Sequence, residues 1–273
     1  MEVLEKLVAL NVNYLVAGLM VLFYGLEHLL ENQFSFKGKT LHWGNNLLFQ
    51  VIFFVANIYW AIVVVYCIEW MNSREIGLFY LFEMPYWLKL ISGVAMFDLV
   101  TYWFHRIGHI IPFIWRFHRV HHSDTKMDAS SNFRSHPIEA YLWFGSCNML
   151  AAGIFGLDLF TFGLYFLIVT PLFFLEHSNL RFPAWLDKTV GLVFTTPNLH
   201  KIHHDQDQHH TDSNFSDIFI LWDRIFGTYT YKPVEQIKLG LEEFDTPERQ
   251  GFWFLLKSPF IQISRKVKAE AEN

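Results

Sequence analysis

The sequence predicts an all-α, multi-pass membrane protein. Two observations point there: apolar stretches about as long as a bilayer is thick, and charged residues crowded into the few segments between them. A third, histidine pairs and triplets at helical spacing, places a helical cap beside the spans. Apolar residues make up 52% of the 273, aromatics 18% and charged residues 17%, against the ~25% charged of an ordinary soluble domain. Such a balance suits a chain solvated partly by lipid. The net charge of −5 carries no polybasic signature for nucleic acid. Cys67 and Cys147 stand 80 positions apart in apolar segments, which excludes a disulfide framework or a thiolate cluster. Any metal must therefore be held by nitrogen or oxygen.

A spanning helix needs about 20 mostly apolar residues to cross ~30 Å of hydrocarbon, and about four segments, with a fifth depending on one hairpin, meet that template. The opening MEVLEK has two Glu and one Lys where a signal peptide would be positive, so the first apolar stretch is expected to be retained. That stretch runs from about Val12 to Leu30, with Glu27 and His28 near its end; the second, about Leu47 to Ile68, carries no charge before Glu69. A third, about Tyr86 to Phe104, holds Lys89 and Asp98 and runs into the first histidine motif. From Ala140 to Glu176 the only charge before the end is Asp158, and Gly153, Gly156 and Asp158 supply a turn. This reads as a tight hairpin, either two spans or a re-entrant pair.

Orientation follows from Lys and Arg in the short loops, which favour the cytoplasmic side. Lys37 and Lys39 lie in one loop, and Arg106, Arg116, Arg119, Lys126 and Arg134 in another, whereas Glu69 to Pro85 has one Arg and three Glu. Crossing parity then brings every histidine-rich segment to one, cytoplasmic, face. No repeat, low-complexity tract or long linker interrupts the chain, so residues 1–273 are expected to form one domain, with 264–273 a solvated end.

Fourteen histidines are many for this length, and their spacing says more than their number. His105 and His109 (HRIGH) stand at i and i+4. His118, His121 and His122 (HRVHH) stand at i, i+3 and i+4, a spacing that His200, His203 and His204 (HKIHH) repeat. Residues so spaced share a helix face. His136 in RSHPIE and His177 in FLEHSN complete a set of ten. A lone pair would be a solvated helix face, but three clusters change the balance, because crowded imidazoles repel when charged. A divalent ion resolves this, since neutral imidazole suits iron, zinc or copper. Ten ligands exceed the capacity of one ion and suit two. A structural zinc clamp, closed at four ligands, fits this count poorly. Soluble di-iron bundles use Glu-x-x-His pairs, and none occurs in this sequence. Asp124, Asp205 and Asp212 are candidates for orienting imidazole N–H groups. His28 and His42 are read as packing or interface residues, and His209 and His210 as a loop pair.

The ordered strings HRIGH, HRVHHS, RSHPIE, EHSN, PNLHKIHH, DSNF and LWDRIFGTY, spread over residues 98–229, resemble the fatty acid hydroxylase and sterol desaturase superfamily of integral membrane di-iron enzymes. The resemblance implies two iron ions with O2 as co-substrate, acting on an unactivated C–H bond of a lipid such as a fatty acyl, sterol or isoprenoid chain. It makes His105, His109, His118, His121, His122, His200, His203 and His204 metal ligands, with His136 and His177 the remaining two. One departure is Phe173, at a position where some relatives carry a histidine; His136 is the residue expected to take that role. Hydroxylation is the expected outcome, with desaturation or ether-lipid cleavage at the same site as alternatives. A membrane metal transporter or storage protein is the non-enzyme alternative, disfavoured because the centres of the first two spans lack ionisable residues. Trp103, Phe104, Phe113, Trp115 and Phe117 are candidate walls of a lipid channel. Turnover needs two electrons, and without an iron–sulfur cysteine cluster or a GxGxxG fingerprint a separate electron-donor protein is implied. The lack of eukaryotic-type sorting tails suggests a bacterial inner membrane.

Overall fold

The computed structural model describes residues 2–8 and 12–263, with the backbone alone for residues 3 and 140–144; the expected solvated end, 264–273, lies outside the described residues. Among these the chain is helical, with seven leading helices: α1 (Glu2–Val8), α2 (Val12–Leu29), α3 (Lys39–Asn72), α4 (Tyr86–Ile110), α5 (Pro112–His122), α6 (Pro137–Phe155) and α7 (Leu159–His177). Five short ones follow in the cap: α8 (Trp185–Thr189), α9 (Pro197–His203), α10 (Gln208–Thr211), α11 (Leu221–Ile225) and α12 (Phe252–Lys257). Two isolated bridges, Asn32 with Leu180 and Asp205 with Leu239, are the β pairings seen.

By length and composition three helices, α2, α3 and α7, can cross a membrane, fewer than the four or five expected. The 25 residues of α4 include Lys89, Asp98 and Arg106, and the described apolar run of α6 is only Gly145–Phe155. The outer faces of α2 and α3 expose Val21, Val55, Ile58, Ile62 and Tyr66. In lipid such faces need no partner, whereas in water they would mark an association site.

Helix α3, at 34 residues, is about 51 Å long at 1.5 Å per residue, longer than a hydrocarbon core. Its first turns pass into the cap, burying His42, Trp43, Asn46 and Phe49. The main core lies between α3, α4, α6 and α7, around Ile68, Phe97, Ala151, Tyr165 and Val169.

The expected hairpin is present. Gly156 closes α6 in the left-handed conformation (φ 74°), and the Asp158 carboxylate accepts from Thr161 N–H at 2.8 Å to start α7. Gly153 lies inside α6 and takes no part in the turn. Gly77, at φ 128°, presses on this corner so closely that a Cβ there would fall 2.1 Å from the Gly156 nitrogen.

The opposite ends of these helices meet as one layer. The Glu27 carboxylate at the end of α2 accepts from Ala129 N–H at 2.9 Å and Asn179 N–H at 2.8 Å. His42 pairs with Asp128 at 2.7 Å. The end of α2, the start of α3, the connection into α6 and the exit of α7 are thus joined on the side that carries the histidines.

Candidate metal centre

Three helices that carry the histidines or lead out of them start with proline in the first turn: Pro112 in α5, Pro137 in α6 and Pro197 in α9. Proline suits this position because its missing N–H is one that a helix start leaves unpaired, and its φ is already helical. Thr196 adds a side-chain cap, its hydroxyl oxygen accepting from Leu199 N–H at 3.3 Å. The two HxxHH motifs are therefore held on short helices whose starts are fixed by sequence.

Their histidines converge as two adjoining groups. His105, His109, His118, His122 and His203 offer nitrogens within 4.8 Å of one another, and so do His121, His177, His200 and His204. Each HxxHH triplet straddles both groups: α5 gives two rings to the first and one to the second, and α9 with its cap residue His204 gives one and two. The groups touch where His122 meets His204, with ring centroids 4.6 Å apart.

Five rings are oriented by acceptors at Nδ1. His105 Nδ1 donates to the Phe215 carbonyl at 2.7 Å, His203 Nδ1 to the Ser213 carbonyl at 2.7 Å and His177 Nδ1 to the Phe173 carbonyl at 2.8 Å. His118 pairs with Glu139 at 2.5 Å and His109 with Asp212 at 3.1 Å. A carbonyl only accepts, so in the first three the proton is fixed on Nδ1 and Nε2 is a bare lone pair. Yet His105 Nε2 and His203 Nε2 lie 3.0 Å apart, and His177 Nε2 is 3.1 Å from both His121 Nε2 and His200 Nε2. Two lone pairs at 3.0 Å repel, and an ion that accepts both is what such an arrangement fits. His109 Nε2 is buried with no hydrogen-bond partner, as a nitrogen aimed at a cation would be. The donor set therefore fits metal ions.

The electrostatics agree. Burial, reinforced by the neighbouring imidazoles, holds His121, His122, His200 and His204 well below the usual histidine range, and His203 is pulled down to about 3 by burial and then His118. These five rings are neutral at pH 7, the form that ligates.

His136 is not brought to either group. It caps α6, its Nδ1 accepting from Ile138 N–H at 3.2 Å, while Nε2 donates to the Leu256 carbonyl at 3.1 Å. The residue of RSHPIE that reaches the centre is Glu139, which the sequence reading did not single out. Of the three aspartates considered, Asp212 alone pairs with a ring of the centre. Asp205 instead receives Lys232 and the Lys238 N–H. Asp124 joins a buried network with His42 (2.9 Å), Arg134 (3.4 Å) and Ser131 (2.6 Å), so His42 is more than a packing residue. Burial opposes charge on Asp124, but Arg134 and His42 outweigh it and hold the carboxyl well below the usual range.

A cavity of about 790 Å³ leads from the bundle to both groups, touching His105 and His118 of the first and His121, His177 and His200 of the second. Its apolar walls are Leu7, Val8, Phe53, Phe97, Phe166 and Phe173, among others. None of the five aromatic residues expected to line a channel does so. Trp115 instead packs against His109, with ring centroids 4.8 Å apart, and Phe113 is 66% exposed. The signal for the true walls was weak, since apolar residues of a span read alike whether they face lipid or an interior void.

Membrane-length helices beside two buried histidine groups that could hold metal, with an apolar cavity reaching both, define a histidine-rich membrane protein. Within that class the family assignment is direct: the fatty acid hydroxylase model matches residues 90–228, and the chain belongs to this family. Human alkylglycerol monooxygenase is 28% identical over 64% of this chain and 37% of its own length, and the Xenopus tropicalis protein of the same name 30% over the same shares. The ornithine lipid hydroxylase OlsE of Rhizobium tropici is 25% identical over 67% of this chain and 54% of its own length. The chain thus spans a little over a third of the alkylglycerol monooxygenases and about half of the ornithine lipid hydroxylase. No solved structure matches it.

Proposed function

We propose that this chain is a membrane-bound, O2-dependent di-iron oxidoreductase that hydroxylates an unactivated C–H bond of a lipid. The observation that carries this reading is the apolar cavity that reaches from membrane-embedded helices to both histidine groups. His105, His109, His118, His122 and His203 would hold one iron ion, and His121, His177, His200 and His204 the other. When bound, the pair would supply O2 activation and C–H cleavage, chemistry that acid and base side chains do not reach.

The chain's own residues do the rest. Carbonyls of Phe173, Ser213 and Phe215, with Glu139 and Asp212, fix the ring orientations, as outer partners of metal ligands do. The cavity walls position an alkyl chain and exclude water. In balance, one oxygen atom of O2 enters the C–H bond as a hydroxyl and the other leaves as water, consuming two electrons and two protons. Those electrons come from a separate carrier protein. The loop Lys and Arg residues support a cytoplasmic histidine face, where such a carrier docks.

A second reading, ether-lipid cleavage, is supported by the alkylglycerol monooxygenase names. Hydroxylation of the carbon beside an ether oxygen gives a hemiacetal that collapses to aldehyde and alcohol, so the site chemistry is unchanged. Incubating iron-loaded protein with membrane lipids, a reductant and ¹⁸O2 tests the proposal. A labelled alcohol supports hydroxylation, a labelled aldehyde supports ether cleavage, and an unlabelled alkene would turn the reading to desaturation. No O2 consumption with any lipid would overturn it.

A further inference from the structure

One stretch of the cavity wall carries polar groups that the metal centre does not use. Asp217, on the segment between α10 and α11, turns its side chain into the cavity, beside Thr101 of α4 and Tyr165 of α7. Tyr165 OH donates to Asp217 Oδ2 at 3.5 Å and stands 3.3 Å from Thr101 Oγ1. A contact of 3.5 Å is at the outer limit of a hydrogen bond, and a carboxyl group has acceptor sites to spare. Burial, and then Asp98, pushes the Asp217 carboxyl up to about 8, as expected where no cation has been provided. No Lys or Arg is among the described residues that line the cavity, so no cationic side chain among them matches a phosphate or carboxylate head group. Thr101 and His105 both line the cavity and sit four residues apart on α4, about 6 Å along the helix.

We infer that Asp217, with Tyr165 and Thr101, holds the polar end of a lipid that brings a hydrogen-bond donor, either a hydroxyl or an ammonium group, and that anionic lipids are rejected. The oxidised carbon then lies close to that polar group, since the anchor is one helix turn from His105, rather than at the far end of the chain. This rests on reading the cavity as the substrate site of a lipid oxygenase, but its test does not need turnover.

The iron-loaded full chain, in phosphatidylcholine nanodiscs, is titrated with monooleoylglycerol, oleylamine and oleic acid, which share one chain length. One of the first two should bind about tenfold or more tighter than oleic acid, the size of one hydrogen bond to an ionisable group. Asp217→Leu should erase that preference without loss of iron. Asp217→Asn separates the two donors: a kept preference for monooleoylglycerol assigns a hydroxyl, and a lost preference for oleylamine assigns an ammonium. If Asp217→Leu does not assemble, Tyr165→Phe removes a single hydroxyl, and a reduced preference supports the site. Equal binding of all three lipids, or an unchanged preference in Asp217→Leu or Tyr165→Phe, overturns the inference. Selective binding without any oxygenated product would count against lipid oxygenation while leaving the Asp217 site standing.

Discussion

Each oriented imidazole of the centre owes its direction to one acceptor, and those acceptors differ in what a mutation can remove. Glu139 and Asp212 are side chains, so Glu139→Gln and Asp212→Asn should each weaken metal affinity by about 10- to 100-fold, as loss of an outer partner typically does; competition with a chelator measures it. His136→Ala should keep the full metal content and cost about 1 kcal/mol, as loss of a helix cap does, because its nitrogens serve α6 and Leu256. The neutral rings also set a pH dependence. The folded value for His203 is about 3, below the ~6.5 of an unfolded histidine, so on acidification the unfolded chain takes up protons first. Stability of chelator-treated protein is therefore full above about pH 6.5 and falls as pH drops toward 3. A melting temperature that stays flat from pH 7 to 4 would contradict this. The eight clustered histidines were legible because i, i+3, i+4 spacing is itself a statement about one helix face. His136 and Glu139 were not separable: two residues inside RSHPIE, they differ in whether the start of α6 turns them inward. The carbonyls of Ser213 and Phe215 left no trace in the sequence, since every residue carries one.

At the scale of elements, one buried carboxylate ties α4 to the segment that holds those carbonyls. Asp98 accepts from Ile218 N–H, Phe219 N–H and the Trp222 indole, each at 2.9 Å. Asp223 does the same a step further on, accepting from Phe215 and Ser216 N–H at 2.8 and 2.9 Å. Asp98→Ala strands three buried donors at about 1–3 kcal/mol each, so it should destabilise the protein by several kcal/mol and lower iron occupancy, because Ser213 and Phe215 lose their frame. Normal iron content and an unchanged melting temperature in that variant would refute the coupling. At the far end, Gly77→Ala places a Cβ into the Gly156 backbone and should lower the melting temperature without changing the metal spectrum. The long apolar helices and the α6–α7 hairpin were readable from apolar runs and turn residues. The number of spans was not, because α4 carries Lys89 and Arg106 besides Asp98, which is wholly buried, and hydropathy cannot tell an enclosed charge from one facing lipid.

For the whole molecule, the arrangement joins a lipid-facing bundle to a polar cap through one cavity. Thr170 of α7 lines that cavity away from the ring contacts, so Thr170→Trp should cut turnover of long-chain lipids by tenfold or more while iron stays bound; equal turnover would mean that lipid reaches the metals by another route. Neither this cavity nor its walls was legible in the residue pattern, because a void is made by what the helices fail to fill once packed, and no spacing encodes that directly. What all of this depends on is the double centre. Transition-metal content per chain, measured on freshly purified protein beside the His118→Ala, His121→Ala, His122→Ala triple variant, tests it most directly. Close to two iron ions per chain, lost in the variant, are expected; one ion, or none in protein from active membranes, would rule out a double centre.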